Sequence, residues 1–283
     1  MIIGHQIQWQ YLKRLAELDK IPHALLFSGP EKVGKRTVAL EFAKLLIGES
    51  KEWHPDLILI EPEEGETKIA QIRDLIWKVS LKPYSAPFKV AVIDSADKMT
   101  REAQNCFLKT LEEPKEKTFL ILIAEHSEVL LPTILSRCQI VKFHPVPKSE
   151  IEDYLKEKGL DRPKIEEVSD VASGLPGRAV EIFLEPEKLI ERKKTVGELQ
   201  EAMGKDLAYR FQLAKALAEK DNLREILKIW QGYLRGLVVS SFSPSPLLKK
   251  NVAILKQIQN ISYLIQNTNV NRRLALEILM LEI

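Results

Sequence analysis

The feature that most constrains this chain is the run Gly29-Pro30-Glu31-Lys32-Val33-Gly34-Lys35. It has the spacing G-x-x-x-x-G-K, and its surroundings are what that spacing needs. Ala24-Leu25-Leu26-Phe27-Ser28 reads as a buried strand directly before it. Residues 35–47, with Val38, Phe42, Leu45 and Leu46 at helical spacing, read as a helix directly after it. Glycines in such a loop let backbone N–H groups close on phosphate oxygens, and the helix start adds about half a positive charge. Gly29, Gly34 and Lys35 are therefore candidate phosphate-binding residues, with Lys35 reaching toward the β- and γ-phosphates. Strand, loop and helix in this order commit the surrounding chain to a doubly wound α/β domain on a parallel sheet.

The pattern around the loop agrees. Residues 56–60, 89–94, 119–123 and 139–143 read as four further strands. Several lack apolar/polar alternation, as strands covered on both faces do in a parallel sheet. Ile69, Ile72, Leu75, Ile76 and Val79 mark an amphipathic helix. Thr100 caps another that runs to Glu113, where Pro114 stops it. After His144-Pro145-Val146-Pro147 the strand signals end. One helix opens at Ser149-Glu150 and closes at Gly159, and Ser173-Gly174-Leu175-Pro176-Gly177 separates two more. From Pro186 the pattern is helical throughout, with Ser241-Phe242-Ser243-Pro244-Ser245-Pro246 as its main loop. Three units follow: an α/β domain over 1–147, a small helical lid over 148–185 and an all-α domain over 186–283. No internal repeat is visible.

Composition removes other classes. With 283 residues, the chain is at the size where one core stops growing. An apolar share of 45% and a charged share of 29% are ordinary for a globular protein. No apolar run is long enough to span a bilayer and the N-terminus has no signal pattern, so a cytoplasmic chain without a membrane partner is expected. Two cysteines, Cys106 and Cys138, cannot build a four-thiolate zinc site, and no zinc is expected. The net charge of +2 is unevenly spread: residues 186–283 carry 16 Lys/Arg against 10 Asp/Glu, and residues 1–185 carry 26 against 30. That basic third is either a solvated helical face or one turned to nucleic acid or an acidic partner. Trp9, Trp53, Trp77 and Trp230 read as packing residues.

Two positions depart from a working ATPase. The residue after Lys35 in such a loop is Ser or Thr, whose hydroxyl binds Mg²⁺, but here it is Arg36. Thr37 comes one place later, about 100° further round the helix, and is a poor substitute. Val90-Ala91-Val92-Ile93-Asp94 is an apolar strand ending in an acid, the natural partner of a phosphate loop, which places a carboxylate near the metal. The next residue is Ser95, where active ATPases of this type carry a Glu, and Asp97 is badly spaced to replace it. ATP or ADP with Mg²⁺ is the cofactor the motif suggests, with the metal poorly held. Leu135-Ser136-Arg137-Cys138 places an arginine just before a strand, which alone reads as solvated or ion-paired.

Taken together, these segments resemble the bacterial DNA polymerase III clamp-loader subunits of the AAA+ superfamily, the delta-prime type in particular. The resemblance is carried by IPHALLFSGPEKVGK (21–35), HPDLILIEP (54–62), KVAVIDSADKMT (89–100), QNCFLKTLEEP (104–114), LLPTILSRCQ (130–139), SGLPGRAVEI (173–182) and NVNRRLALEILMLEI (269–283). It implies a AAA+ domain, a helical lid and a C-terminal collar that joins a five-membered ring. It implies gamma/tau ATPase subunits and a delta subunit as partners, and the sliding clamp and primer-template DNA reached through the complex. A delta-prime subunit is the rigid, stator-like end of the ring and usually lacks effective ATPase activity. Its serine-arginine-cysteine arginine, Arg137 here, reaches the ATP of the adjacent subunit, and Arg178 falls where the family has a sensor arginine facing its own loop. The Glu112-Glu113 pair could face a neighbouring subunit, and the helix start at Thr100-Arg101 could track duplex phosphates. Many relatives carry four cysteines where this chain has only Gly48–Trp53, which leaves no zinc module. The region around Ala124-Glu125-His126-Ser127 lacks the Thr or Asn common in active members, and His126 reads as a loop residue. The alternatives are an active gamma/tau-type ATPase, which Arg36 and Ser95 oppose, and an unrelated helicase loader or branch-migration motor, which LKTLEEP and the SRC triplet oppose.

Overall fold

The computed structural model describes residues 1–18, 20–48, 54–114, 117–240 and 246–283. Trp53, the short link over 49–53 and the loop over 241–245 lie outside the described residues. The chain divides into two compact units, Met1–Gly159 with Gly174–Arg178, and Leu160–Ser173 with Ala179–Ile283. The residues expected as a lid, 148–185, are shared between them.

In the first unit β1 (Ala24–Ser28), β2 (Leu57–Ile60), β3 (Lys89–Ile93), β4 (Thr118–Ala124) and β5 (Gln139–Lys142) form one parallel sheet in the order β2-β3-β4-β1-β5. The strands match the apolar runs of the sequence to within a residue or two. β1, β3 and β4 are buried nearly throughout, while β5, at one edge, exposes Gln139, Ile140 and Lys142. Alternate residues of the central strands build two cores. On one face Leu26, Ala91, Ile93, Leu120 and Leu122 meet Ile72 and Leu75 of α3 (Ile69–Ser80) and Phe107 and Leu111 of α4 (Arg101–Glu112). On the other, Leu25, Phe27, Val90, Val92, Ile121 and Ile123 meet Leu12 of α1 (Gln6–Glu17) and Val38, Phe42 and Leu46 of α2 (Lys35–Ile47). Fully burying one such side chain contributes about 1.5–3 kcal/mol. The Thr100 hydroxyl caps α4 by accepting the Ala103 N–H at 3.2 Å.

Two features differ from the sequence reading. Helix α1, which the sequence reading does not name, buries Leu12 and packs Trp9 and Ala16 against the second core. It lies along the open edge of β5, where the Gln8 amide donates to the Lys142 carbonyl at 3.1 Å and the Gln139 amide to the Tyr11 hydroxyl. Trp77 is not a packing residue: it is 60% exposed on α3, off the face that carries Ile72, Leu75 and Val79. Trp9 is half-buried under the Lys13 ammonium, and Trp230 is wholly buried.

The second unit is helical. It contains α7 (Arg162–Ala172), α9 (Glu187–Gly204), α10 (Leu207–Ala218), α11 (Leu223–Ser240), α12 (Pro246–Asn267) and α13 (Arg272–Glu282). Helix α6 (Lys148–Glu157) belongs to the first unit, and α8 (Pro176–Leu184) is divided after Arg178. Trp230 sits in the helical core with Leu227, Leu234, Ile258, Leu276 and Leu279, and its indole N–H donates to the Thr195 carbonyl at 2.8 Å. The apolar stripe of the last helix splits into two faces. Leu276 and Leu279 are buried, whereas Leu274, Ile278 and Leu281 are exposed at i, i+4, i+7 spacing. Among the described residues no helix is long and apolar enough to cross a membrane.

Candidate phosphate-binding site

The sheet order puts the site where a doubly wound sheet normally has one. β1 lies beside β4; the chain leaves β1 toward β2 and leaves β4 the other way, to β5, so the two connections part in opposite directions and open a crevice at the carboxyl ends of the pair. Gly29 begins the loop there with φ 156°, and a Cβ on it would lie 2.3 Å from the Phe143 carbonyl oxygen, so no other residue fits this approach. Lys32 (φ 61°) and Gly34 (φ 108°) turn the chain into α2. The buried His5 ring braces the loop from beneath. Its Nε2 donates to the Val33 carbonyl at 2.7 Å and its edge rests on Phe143. Burial pulls the His5 pKa down, with the Val33 carbonyl and Glu150 opposing, so the ring is neutral at pH 7. From the other side Gly177, at the start of α8, donates its N–H to the Lys32 carbonyl at 2.8 Å. A Cβ there would strike that same oxygen. Arg178 is the next residue along.

Lys35 is buried, and its ammonium donates to the Gly29 and Pro30 carbonyls at 2.6 and 2.7 Å. Burial lowers its pKa, while Glu125, Asp97, Asp94 and Glu31 work against that shift. Three neighbouring strands each end in an acid: Glu61 follows β2, Asp94 follows β3 and Glu125 follows β4. Since Ile60 pairs with Ile93, Glu61 and Asp94 leave the sheet side by side. Arg36 reaches both, with Nη1 at 2.5 Å from Glu61 Oε1 and 3.4 Å from Asp94 Oδ2. Thr37 is exposed. Asp97 is tied to the end of β4, where its carboxylate accepts the Glu125 and His126 N–H groups at 3.3 Å. His126 is exposed beside Glu128.

This donor set fits an anion but not a magnesium ion. Loop N–H groups, a helix start and Lys35 suit phosphate oxygens. Magnesium needs near-octahedral oxygen ligands at about 2.0–2.1 Å. Here the corner beside Asp94 is filled by a guanidinium, and no hydroxyl stands at position 36. Among the described residues no group of three or more His, Cys, Asp or Glu side chains could hold a metal ion. Cys106 and Cys138 are free thiols half-buried against the same core, and burial pushes Cys138 up to about 12.

Gly29, Gly34, Lys35 and Asp94 thus gather at the carboxyl ends of the strands, and Gly177 holds the backbone next to Arg178 against the loop, but Arg137 does not join them. It lies between α5 (Pro132–Leu135) and β5, and because β5 pairs in parallel with β1 it is at the opposite end of the sheet. Its side chain is 34% exposed and pairs through Nη2 with Glu112 Oε1 at 2.9 Å, while Nη1 donates to the Thr133 carbonyl at 3.0 Å.

The family whose model is described as DNA polymerase III, delta subunit, matches residues 4–147, just over half of the chain. The chain belongs to that family. It is a member of the AAA+ clamp-loader group, and its relatives span that group. DNA polymerase III subunit delta' of Bacillus subtilis is 34% identical over 196 residues, 64% of this chain and 59% of the relative's length. DNA polymerase III subunit gamma of Buchnera aphidicola is 30% identical over 265 residues, covering 82% of this chain and 73% of that protein. A replication factor C small subunit of Methanococcus maripaludis is 29% identical over 248 residues, 85% and 72% of the two chains. Among solved structures, a gamma subunit-related protein of Thermotoga maritima superposes with a TM-score of 0.52 at 20% identity, covering 95% of this chain and 97% of that one. The RuvB branch migration motor of the same organism gives 0.51 at 15%, covering 93% and 88%. These two likenesses establish the AAA+ fold.

Within that clamp-loader fold the sequence reading did not name His5 or Glu61, gave Glu125 no role, and offered Glu112 to a neighbouring subunit, whereas it pairs with Arg137 of its own chain. Glu61 and Glu125 had a visible signal, since each directly follows an apolar run. His5, and the pairing of Glu112, had none, because both act through contacts distant in sequence.

Proposed function

We propose that this clamp-loader family member is a delta-prime-type subunit. In this reading it holds its place in a ring with gamma/tau-type ATPase subunits and a delta subunit, helps to load a sliding clamp on primed DNA, and works in the cytoplasm. It lends Arg137 to the ATP of a neighbouring subunit while its own loop, through Gly29, Gly34, Lys35 and Arg178, keeps a phosphate-binding role without turnover. Residues 186–283 serve as the collar, with the exposed Leu274, Ile278 and Leu281 face meeting other subunits. The observation that carries this is the separation of the two ends of the sheet. An arginine that lies far from its own loop, and so cannot serve it, suits a partner's phosphate. A loop whose metal corner holds Arg36 suits a subunit that is not a motor. The gamma-subunit relative favours an active ATPase instead, and Arg36 with Ser95 weighs against that.

A guanidinium is always charged and offers several fixed donors, so it suits charge developing on a transferred phosphoryl group. The test is a complex reconstituted with Arg137→Ala in this chain, assayed for clamp- and DNA-stimulated ATP hydrolysis and for clamp loading. Normal assembly with slowed hydrolysis at one site is expected. Unchanged rates in an intact complex would remove Arg137 from this role.

A further inference from the structure

The phosphate-loop corner carries a cation of its own. Arg36 leaves α2 at the position where a magnesium-dependent loop has a short hydroxyl. Its guanidinium spans the carboxyl ends of two adjacent strands, meeting Glu61 at 2.5 Å and Asp94 at 3.4 Å. Strand register explains the arrangement: Ile60 opposite Ile93 forces the next residues, both acids, to emerge together. Two carboxylates side by side call for positive charge, and in this chain the charge is tethered rather than drawn from solution. Both ion pairs are made through Nη1, and a guanidinium carries five N–H donors, so it has more to offer an anion. The neighbouring residue, Lys35, already points its ammonium into the loop, onto the Gly29 and Pro30 carbonyls. Two fixed cations therefore stand one residue apart at a helix start, one inside the loop and one beside it.

We propose that Arg36 takes the place of magnesium at this centre, so that the loop binds the polyphosphate of a nucleoside di- or triphosphate without a divalent ion. This rests on reading the loop as a polyphosphate site and is independent of Arg137. The charge balance favours it. A permanent positive charge against Glu61 and Asp94 removes much of the attraction that would draw in a second cation. The guanidinium also occupies the space in which a metal and its waters would have to sit, since magnesium keeps several waters when bound. Arg36 is half-exposed, so it can turn its outer donors to a bound phosphate without losing its carboxylate partners.

The experiment titrates the full chain with a fluorescent ADP analogue, with Mg²⁺ and with chelator, and follows Mn²⁺ capture by electron paramagnetic resonance. The wild-type protein should bind the analogue equally under both conditions and take up no Mn²⁺ beyond what the nucleotide itself carries. Arg36→Thr should lose metal-free affinity roughly tenfold or more, the scale of one charge-assisted hydrogen bond. It should gain a Mg²⁺ requirement and a Mn²⁺ signal that a further Asp94→Asn change removes. Arg36→Lys, which keeps a tethered charge, should stay metal-free. Wild-type binding that is tenfold tighter with Mg²⁺ would overturn Arg36's role and leave the loop as a nucleotide site. No binding under either condition would overturn both. Metal-free binding that Arg36→Thr leaves unchanged would also sink the proposal, as would metal dependence appearing in Arg36→Lys.

Discussion

The two ends of the sheet in the first unit use arginine in different ways. At the carboxyl ends of the strands Arg36, 48% exposed, bridges two acids that follow neighbouring strands. At the amino ends Arg137, 34% exposed, pairs with one carboxylate and donates to the Thr133 carbonyl and the Ser136 hydroxyl. The difference lies in what surrounds each guanidinium. Arg36 answers a pair of acids brought together by strand register. Arg137 follows the one-turn α5 and meets a single acid, Glu112, beside the Thr133 carbonyl and the Ser136 hydroxyl. The proposed function assigns the first arginine to the chain's own loop and the second to a neighbouring subunit.

The largest expected effect separates these ends completely. In a reconstituted complex, Arg137→Ala should slow single-turnover hydrolysis at the site that receives it by about 10³–10⁵-fold. The analogue affinity of the isolated chain should not move. Lys35→Ala should do the reverse, abolishing analogue binding while hydrolysis in the complex continues. A crossed result, with Lys35→Ala halting the complex, would show that the two ends are not functionally distinct.

Next in size is turnover by the isolated chain. With no carboxylate at Ser95 to activate water, a loss on the order of 10²–10⁴ is expected, and steady-state phosphate release should stay at background. Lys35-dependent release at the rate of an active AAA+ ATPase would erase the contrast between this loop and a motor's. At the amino ends of the strands, Glu112→Gln should change stability by no more than about 1 kcal/mol, since the pair is partly exposed. Thermal melting of the variant checks it, and a larger drop would make Arg137 a structural residue.

The smallest effect concerns pH. Burial lowers the His5 pKa in the folded chain, so the ring is neutral there while an unfolded His titrates near 6.5. Protonation then favours the unfolded chain. Stability should be full above pH 6.5 and decline as pH falls through the window below it. Hydrogen exchange at the Val33–Lys35 amides should report the loosening, and His5→Gln, which can still donate to Val33, should flatten the dependence. A wild-type profile unchanged down to pH 5 would remove His5 as a brace.

How much of this was legible in the sequence follows from the range of each interaction. The phosphate loop, β1 and α2 were readable because their signals are local: glycine spacing, an apolar run and a 3.6-residue period. Asp94 was readable as the acid that ends a buried strand. Glu61 ends a strand in the same way, yet its meaning depends on β2 pairing with β3, and register is not written within either run. Helix α1 was not read although Trp9, Leu12 and Ala16 recur at helical spacing, because His5 before it is no capping residue and marks no start. The last helix was readable as helical, but the split of its apolar residues into a buried and an exposed face was not. Which leucines turn inward depends on how α10 and α12 close over Leu276 and Leu279.

The close approach of Gly29 to Phe143 carries one more consequence. Phe143 directly follows β5, and its N–H donates to the Ser28 carbonyl at 2.8 Å. Arg137 stands just ahead of the same strand, whose four residues span about 13 Å. A strand that short, zipped to β1 along its length, behaves as a strut rather than a spring. The loop rests on one end of it and Arg137 is mounted at the other. A shift of the loop would therefore be delivered to Arg137 as a displacement of the whole strut, and a substitution that loosened the Ser28–Phe143 joint would blunt the far end without touching it.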